Sequence, residues 1–207
     1  MEELNIWSDG REKILDEINR FQDGSKIGTG VDFTSPGATG ILGDCVLYAA
    51  ASWGENVDVW DIRKGKLLHR FENAHSEEIT SIAITYDSRL IISGSSDKSI
   101  AVWSIKNKKL YHRYDNSHSA RITSVATSAQ PKYIVSGSYD RTIAVWSILD
   151  KKFLFRIPNA HSQRITGVAI TRDCKYIVSV GDDKAISVWL FATQRLYHSF
   201  TNAHTEW

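Results

Sequence analysis

Only two cysteines occur in the 207 residues, Cys45 and Cys174, and there is no Cys-Xaa-Xaa-Cys pair. That excludes a disulfide scaffold and a thiolate metal site, and it points to a reducing compartment, so a cytoplasmic location is expected. An excess of one charge is also missing: 25 Lys and Arg stand against 24 Asp and Glu. A balanced chain lacks the electrostatic footprint of a nucleic-acid binder or of a protein held to anionic lipid. No apolar run approaches the ~20 residues needed to cross a bilayer, so no membrane span is expected. The start, Met1-Glu2-Glu3-Leu4, has no basic stretch followed by an apolar core, which gives no sign of a secretory signal. Methionine is nearly absent, with one residue, while seven Trp and eight Tyr favour strands over helices. The hydrophobic fraction of 42% is enough to bury a core.

What is present is a repeat. Trp60, Trp103, Trp146 and Trp189 stand 43 residues apart. His75, His118, His161 and His204 keep the same step, and so do Asp97, Asp140 and Asp183. Three residue types sharing one period over several units mark a repeat architecture. Asn73-Ala74-His75-Ser76 returns as Asn116-Ser117-His118-Ser119, Asn159-Ala160-His161-Ser162 and Asn202-Ala203-His204-Thr205. Within one unit, Ile79–Thr85, Leu90–Ser95 and Ser99–Ile105 alternate with period two, and a short fourth strand is expected at Leu110–Tyr114. Each unit is therefore four strands joined by turns rich in Gly, Asp, Ser and Asn.

A unit of this length, with four strands, a His before the first and a Trp in the third, resembles the WD40 repeat. The resemblance covers nearly the whole chain. The family's usual Gly-His reads Ala-His or Ser-His here, and Trp-Asp survives only at Trp60-Asp61. It implies an all-β fold, a WD40-type propeller of four-stranded antiparallel blades forming an open or partial ring. Residues 29–72, 73–115, 116–158 and 159–201 make four blades, and 202–207 begin another repeat. Residues 1–28 read either as an amphipathic helix over Asp9–Phe21 or as the third and fourth strands of a preceding blade. Ile6-Trp7-Ser8 resembles Val145-Trp146-Ser147, which favours the strands. The chain is then expected to be a fragment of a larger propeller protein. A partial ring leaves open edge strands, through which self-association is expected.

Recurring His, Ser, Asp and Trp suggest either catalytic triads or a structural device. The sets are His75, Ser93, Asp97, Trp103; then His118, Ser136, Asp140, Trp146; then His161, Ser179, Asp183, Trp189. In WD40 proteins these positions form a structural hydrogen-bond tetrad. A buried His needs partners for both ring nitrogens, and a hydroxyl and a carboxylate supply them. A constellation repeated three times is a fold device, so no enzyme activity is expected. The first repeat lacks the set: Ala50 replaces the Ser, Gly54 replaces the Asp, and Asp32 lies near the His position. That blade is expected to be the least braced. His69, His112 and His198 share a register on an outer strand and are expected to face solvent. No metal is expected, since the His residues are scattered over different blades without ligand spacing. Gly28-Thr29-Gly30 lacks the rest of a phosphate-binding signature, and no cofactor is expected.

Function is then expected in turns that vary while the frame holds. Propellers of this family commonly bind partners on the face formed by the turns before the first strand and between the second and third. Trp53, Glu78, Ser96, Arg121, Tyr139, Arg164 and Asp182 lie there, among them the residue types that dominate interfaces. The expected role is a non-catalytic protein–protein interaction scaffold whose partners are other proteins or peptides, acidic or phosphorylated ones fitting the arginines. A second reading is a substrate receptor of a cullin-type ubiquitin ligase, because Trp60-Asp61-Ile62-Arg63-Lys64 resembles the WDxR docking element, though Gly54 stands where an acidic residue belongs. The propeller tail of a BEACH-type trafficking protein is a further version of it.

Overall fold

Short alternating strands need neighbours on both sides and a sheet above and below, and the chain supplies them by repetition. The computed structural model describes residues 31–33, 48–61, 66–130 and 132–203. Every regular element within these residues is a β-strand. The first sheet holds β1 (Val31–Phe33), β2 (Tyr48–Trp53), β3 (Asn56–Asp61) and β4 (Lys66–Phe71). The second holds β5 (Ile79–Ile84), β6 (Leu90–Ser95), β7 (Ile100–Ser104) and β8 (Lys109–Tyr114). The third holds β9 (Ile122–Thr127), β10 (Tyr133–Ser138), β11 (Ile143–Ser147) and β12 (Lys152–Ile157). The fourth holds β13 (Ile165–Ile170), β14 (Tyr176–Gly181), β15 (Ile186–Leu190) and β16 (Leu196–Phe200). In each sheet the strands lie side by side in chain order, all antiparallel.

The sheets stand in a row through their first strands: β5 packs on β9, and β9 on β13. Among the described residues the row does not close into a ring. The part of the sequence expected to form a preceding half-blade, 1–28, and all but the first two residues of the expected further repeat, 202–207, lie outside the described residues.

Each sheet has a leading face toward its predecessor and a trailing face toward its successor. Between the second and third sheets, Ile92, Ile100, Val102 and Tyr114 meet Ile122, Ile134, Ala144 and Trp146 in one buried cluster. Between the third and fourth, Val135, Ile143, Val145 and Ile157 meet Ile165, Ile177 and Trp189. The period-two pattern thus sends alternate side chains into two different cores, so central strands such as Ile100–Ser104 are buried at every position.

Two local devices recur. The pairing of third and fourth strands shifts register just before each tryptophan, at Val59/Trp60, Val102/Trp103, Val145/Trp146 and Val188/Trp189. Such a bulge re-aims the side chain that follows it. The chain leaves each fourth strand through an asparagine with positive φ: Asn73 (48°), Asn116 (50°), Asn159 (48°) and Asn202 (52°). Asparagine tolerates this left-handed region better than other residues bearing a Cβ, which accounts for its return every repeat.

The first sheet differs from its sequence reading. The hairpin joining β2 and β3 is one residue shorter than the corresponding ones. Ser93 lies opposite Ala101, two residues before Trp103, and the residue opposite Asp58, two before Trp60, is Ala51. Ala51 rather than Ala50 therefore holds the serine position. Asp32 pairs with Ala50 inside β1 and does not stand at the histidine position. His69 and His112 are also not fully solvent-facing. They are half-buried and lie edge-on against Phe71 and Tyr114, both at 4.5 Å.

Candidate functional site

The recurring polar residues meet inside three sheets. His75 Nδ1 lies 3.0 Å from Asp97 Oδ2 and Nε2 lies 2.7 Å from Ser93 Oγ, which also accepts the Trp103 indole N–H at 2.9 Å. His118 repeats this with Asp140 at 2.9 Å and Ser136 at 2.8 Å, and Trp146 donates to Ser136 at 3.1 Å. His161 does so with Asp183 at 2.9 Å and Ser179 at 2.8 Å, and Trp189 donates to Ser179 at 2.9 Å. The sequence did not single out the remaining members. The Ser99 and Thr142 hydroxyls stand 3.0 and 3.1 Å from the His75 and His118 Nδ1 atoms, and Ala185 brings no hydroxyl to that place in the fourth sheet. Each carboxylate also accepts a backbone N–H from Ser76, Ser119 or Ser162 at 3.1, 2.9 and 2.8 Å.

This chemistry is aimed inward. Ser93 and Ser136 are 0% exposed and the three histidines at most 3%, so no substrate carbonyl reaches the hydroxyls. The histidine lies between a fourth and a first strand, and its bonds hold the incoming chain to the sheet it is about to enter. Burial works to raise the Asp97 carboxyl, but the hydrogen bonds from His75 and Ser99 outweigh it and hold the group below the usual carboxylate range. Asp140 is held low in the same way by His118 and Thr142, and Asp183 by His161 and the Ser162 amide.

The first sheet has no such set. Trp60 Nε1 is buried and has no hydrogen-bond partner among the described residues. An alanine at the serine position explains the orphan, since no hydroxyl stands where Ser93 would be. Asp58, where later sheets carry Ala101 and Ala144, is instead gripped by the two arms of Arg70 at 2.7 Å each.

The two groups of turns form one surface because backbone bonds stitch them together. Ser96 N–H donates to Glu78 O at 2.9 Å, Tyr139 N–H to Arg121 O at 3.1 Å, and Asp182 N–H to Arg164 O at 3.0 Å. On it the Arg121 guanidinium lies 5.1 Å and the Arg164 guanidinium 4.8 Å from the centre of the Tyr139 ring. Arg164 also donates to the Tyr139 hydroxyl at 2.8 Å and forms an ion pair with Asp182. Arg121 stands 3.9 Å from Glu78. Five candidate residues on three sheets thus form one row: Glu78, Arg121, Tyr139, Arg164, Asp182. Within it Arg121 Nε and Asp182 Oδ1 are buried and have no hydrogen-bond partner among the described residues. Ser96 is half-buried beside the row. Trp53 ends β2, and its side chain lies outside the described residues, as does Arg63.

A second exposed feature runs around the fourth strands. Leu67-Leu68, Leu110-Tyr111, Phe153-Leu154 and Leu196-Tyr197 are all exposed. The signal was an apolar doublet returning at the repeat spacing. Among the described residues, no group of three or more His, Cys, Asp or Glu side chains is placed to hold a metal ion, and no helix is long and apolar enough to cross a membrane.

A family model described as "WD domain, G-beta repeat" matches residues 65–104, 108–147 and 152–189, more than half of the chain. A Dictyostelium discoideum protein described as "WD repeat domain-containing protein 83 homolog" is 53% identical over 38 residues, 18% of this chain. The match spans 12% of that relative's length.

Proposed function

The chain belongs to the WD40-repeat family, whose domains generally bind other proteins and are generally non-catalytic, and from that premise we propose that it is an interaction scaffold holding an acidic or phosphorylated peptide on its turn face. The observation that carries this reading is the convergence of Arg121 and Arg164 on the Tyr139 ring. Two like charges drawn to one aromatic ring form a place where an added anion lowers the electrostatic energy. Glu78 and Asp182 at the two ends of the row offset the arginines in the free protein and mark the limits of the seat. The half-exposed ring between them supplies apolar area of the kind that anchors peptides. Trp53 and Ser96 extend the same surface in this reading, and a reducing, cytoplasmic setting goes with it.

A displayed peptide library with and without phosphoserine tests it. Acidic or phosphorylated sequences should be enriched on the wild-type chain and lost by at least tenfold on R121E/R164E and on Y139A. Enrichment that ignores these substitutions, or no enrichment of acidic sequences, would sink the proposal.

A further inference from the structure

The 25 basic and 24 acidic residues balance over the whole chain but not along the sheets. The antiparallel strand order puts two turns of each sheet, first to second strand and third to fourth, at the end opposite the Tyr139 row. Most acidic turn residues, Glu77, Glu78, Asp115 and Asp182 among them, stand at the Tyr139 end. At the other end the turns into β8 and β12 bring Lys106, Lys108 and Lys109, then Lys151 and Lys152, all exposed. Among the described residues none of the five is paired with a carboxylate. Asp150, the one acid in these two turns, is taken up locally, accepting the Ser147 hydroxyl at 2.7 Å. A balance struck over the whole chain therefore says nothing of either end.

The same rim is apolar. Leu149, at the tip of the third sheet's turn, is 67% exposed, more than any other large hydrophobic side chain among the described residues. Its backbone is anchored. Ile148 beside it is buried and donates its N–H to Lys132 O at 2.8 Å. The exposed doublets Leu110-Tyr111 and Phe153-Leu154 follow directly on Lys109 and Lys152. The Lys151 ammonium lies 4.3 Å from the centre of the Tyr111 ring, which makes the rim continuous from the second sheet to the third. Both of these sheets have a described sheet on either side. Further sheets joining the row face to face would lengthen this rim without covering it.

We infer that the rim lies on a membrane surface bearing anionic headgroups, with the lysines among the headgroups and Leu149 entering the acyl boundary. Its chemistry selects a lipid surface over an acidic protein or a nucleic acid. The charges are lysine ammoniums, compact and on flexible stems, which suit a diffuse field of charge; these two turns hold no arginine fork for a fixed carboxylate or phosphate. Leucine offers nothing to a nucleic-acid base, whereas hydrocarbon accepts it, and tyrosine and phenylalanine settle at headgroup level. Attraction to such a surface acts on each lysine separately, so a rim repeated from sheet to sheet adds its contributions. The inference stands apart from the peptide seat. The two surfaces occupy opposite ends of the same sheets, so one chain can hold a membrane and a peptide at once.

The full chain should cosediment with phosphatidylcholine vesicles that contain phosphatidylserine and stay in solution with phosphatidylcholine alone. Added salt should release it. Each lysine near an anionic surface changes partitioning by about fivefold. K106E/K109E/K152E, which spares the left-handed positions Lys108 and Lys151, should therefore weaken binding by about a hundredfold or more. L149S should weaken it by about threefold with the salt dependence unchanged. R121E/R164E should bind vesicles as the wild type does. An unchanged near-ultraviolet tryptophan signal establishes that each variant is folded. Equal binding to the two kinds of vesicle, binding to neither, or undiminished binding of K106E/K109E/K152E would overturn the proposal. So would tighter capture by polyglutamate or by an oligonucleotide than by the vesicles, which would give the rim to an acidic protein or a nucleic acid.

Discussion

The indole N–H of Trp103 donates to the Ser93 hydroxyl at 2.9 Å, and that contact is what the first sheet lacks. Trp60 keeps the same burial and finds no acceptor among the described residues. A buried donor without a partner costs about 1–3 kcal/mol. A51S should therefore stabilise the protein by about 1 kcal/mol, read as a rise in thermal midpoint. A50S should give no such gain, because Ala50 is off register by one. Equal effects of the two would refute the pairing.

The carboxylates of the brace are unequal. Asp140 accepts from His118, the Ser119 and Thr142 amides and the Thr142 hydroxyl. Asp183 has no hydroxyl donor at the Thr142 position, where Ala185 stands, and its side chain is 13% exposed against 6% for Asp140. D140N should cost about 2–3 kcal/mol in urea denaturation, and D183N about half as much. The reverse order would contradict the hydrogen-bond assignment.

Acid should unfold the chain through these groups. Asp97, Asp140 and Asp183 are all held below the ordinary value in the folded state. A carboxylate with a lowered folded pKa contributes stability that is complete above its unfolded value, about 3.9, and is lost as pH falls below it. The urea midpoint should be flat from neutral pH to about 5 and then drop steeply. In D97N the drop should be shallower. An identical slope in D97N would remove Asp97 from the account.

Close approach between sheets gives a fourth expectation. G137A puts a methyl 2.6 Å from Ile165 Cγ2 and should destabilise by about 1–3 kcal/mol. V180A, at a half-exposed position of the fourth sheet, should cost under about 1 kcal/mol. Comparable losses at both positions would remove the close approach of Gly137 to Ile165 from the account.

Much of this was legible in the sequence because the repeat multiplies every signal. One His or Ser says little. The same four residues at a fixed step specify where the side chains meet. The turn face was legible only as a set of positions. That Arg121 and Arg164 converge on Tyr139 depends on the spacing of neighbouring sheets, which no single repeat encodes. The serine position of the first sheet was not legible, because a hairpin shorter by one residue moves the partner from Ala50 to Ala51 without moving Trp60.

Each crossover between sheets is fastened twice. Ser117 N–H is held by Lys98 O in the sheet being left, at 2.9 Å, while His118 is held by Asp140 in the sheet being entered. The next crossover repeats this through Ala160 with Arg141 and through His161 with Asp183. Tension applied along the chain loads these fastenings in series. Drawn out by its two ends, the molecule should come apart like a perforated strip, one tear at a time, each tear paying out one repeat of 43 residues.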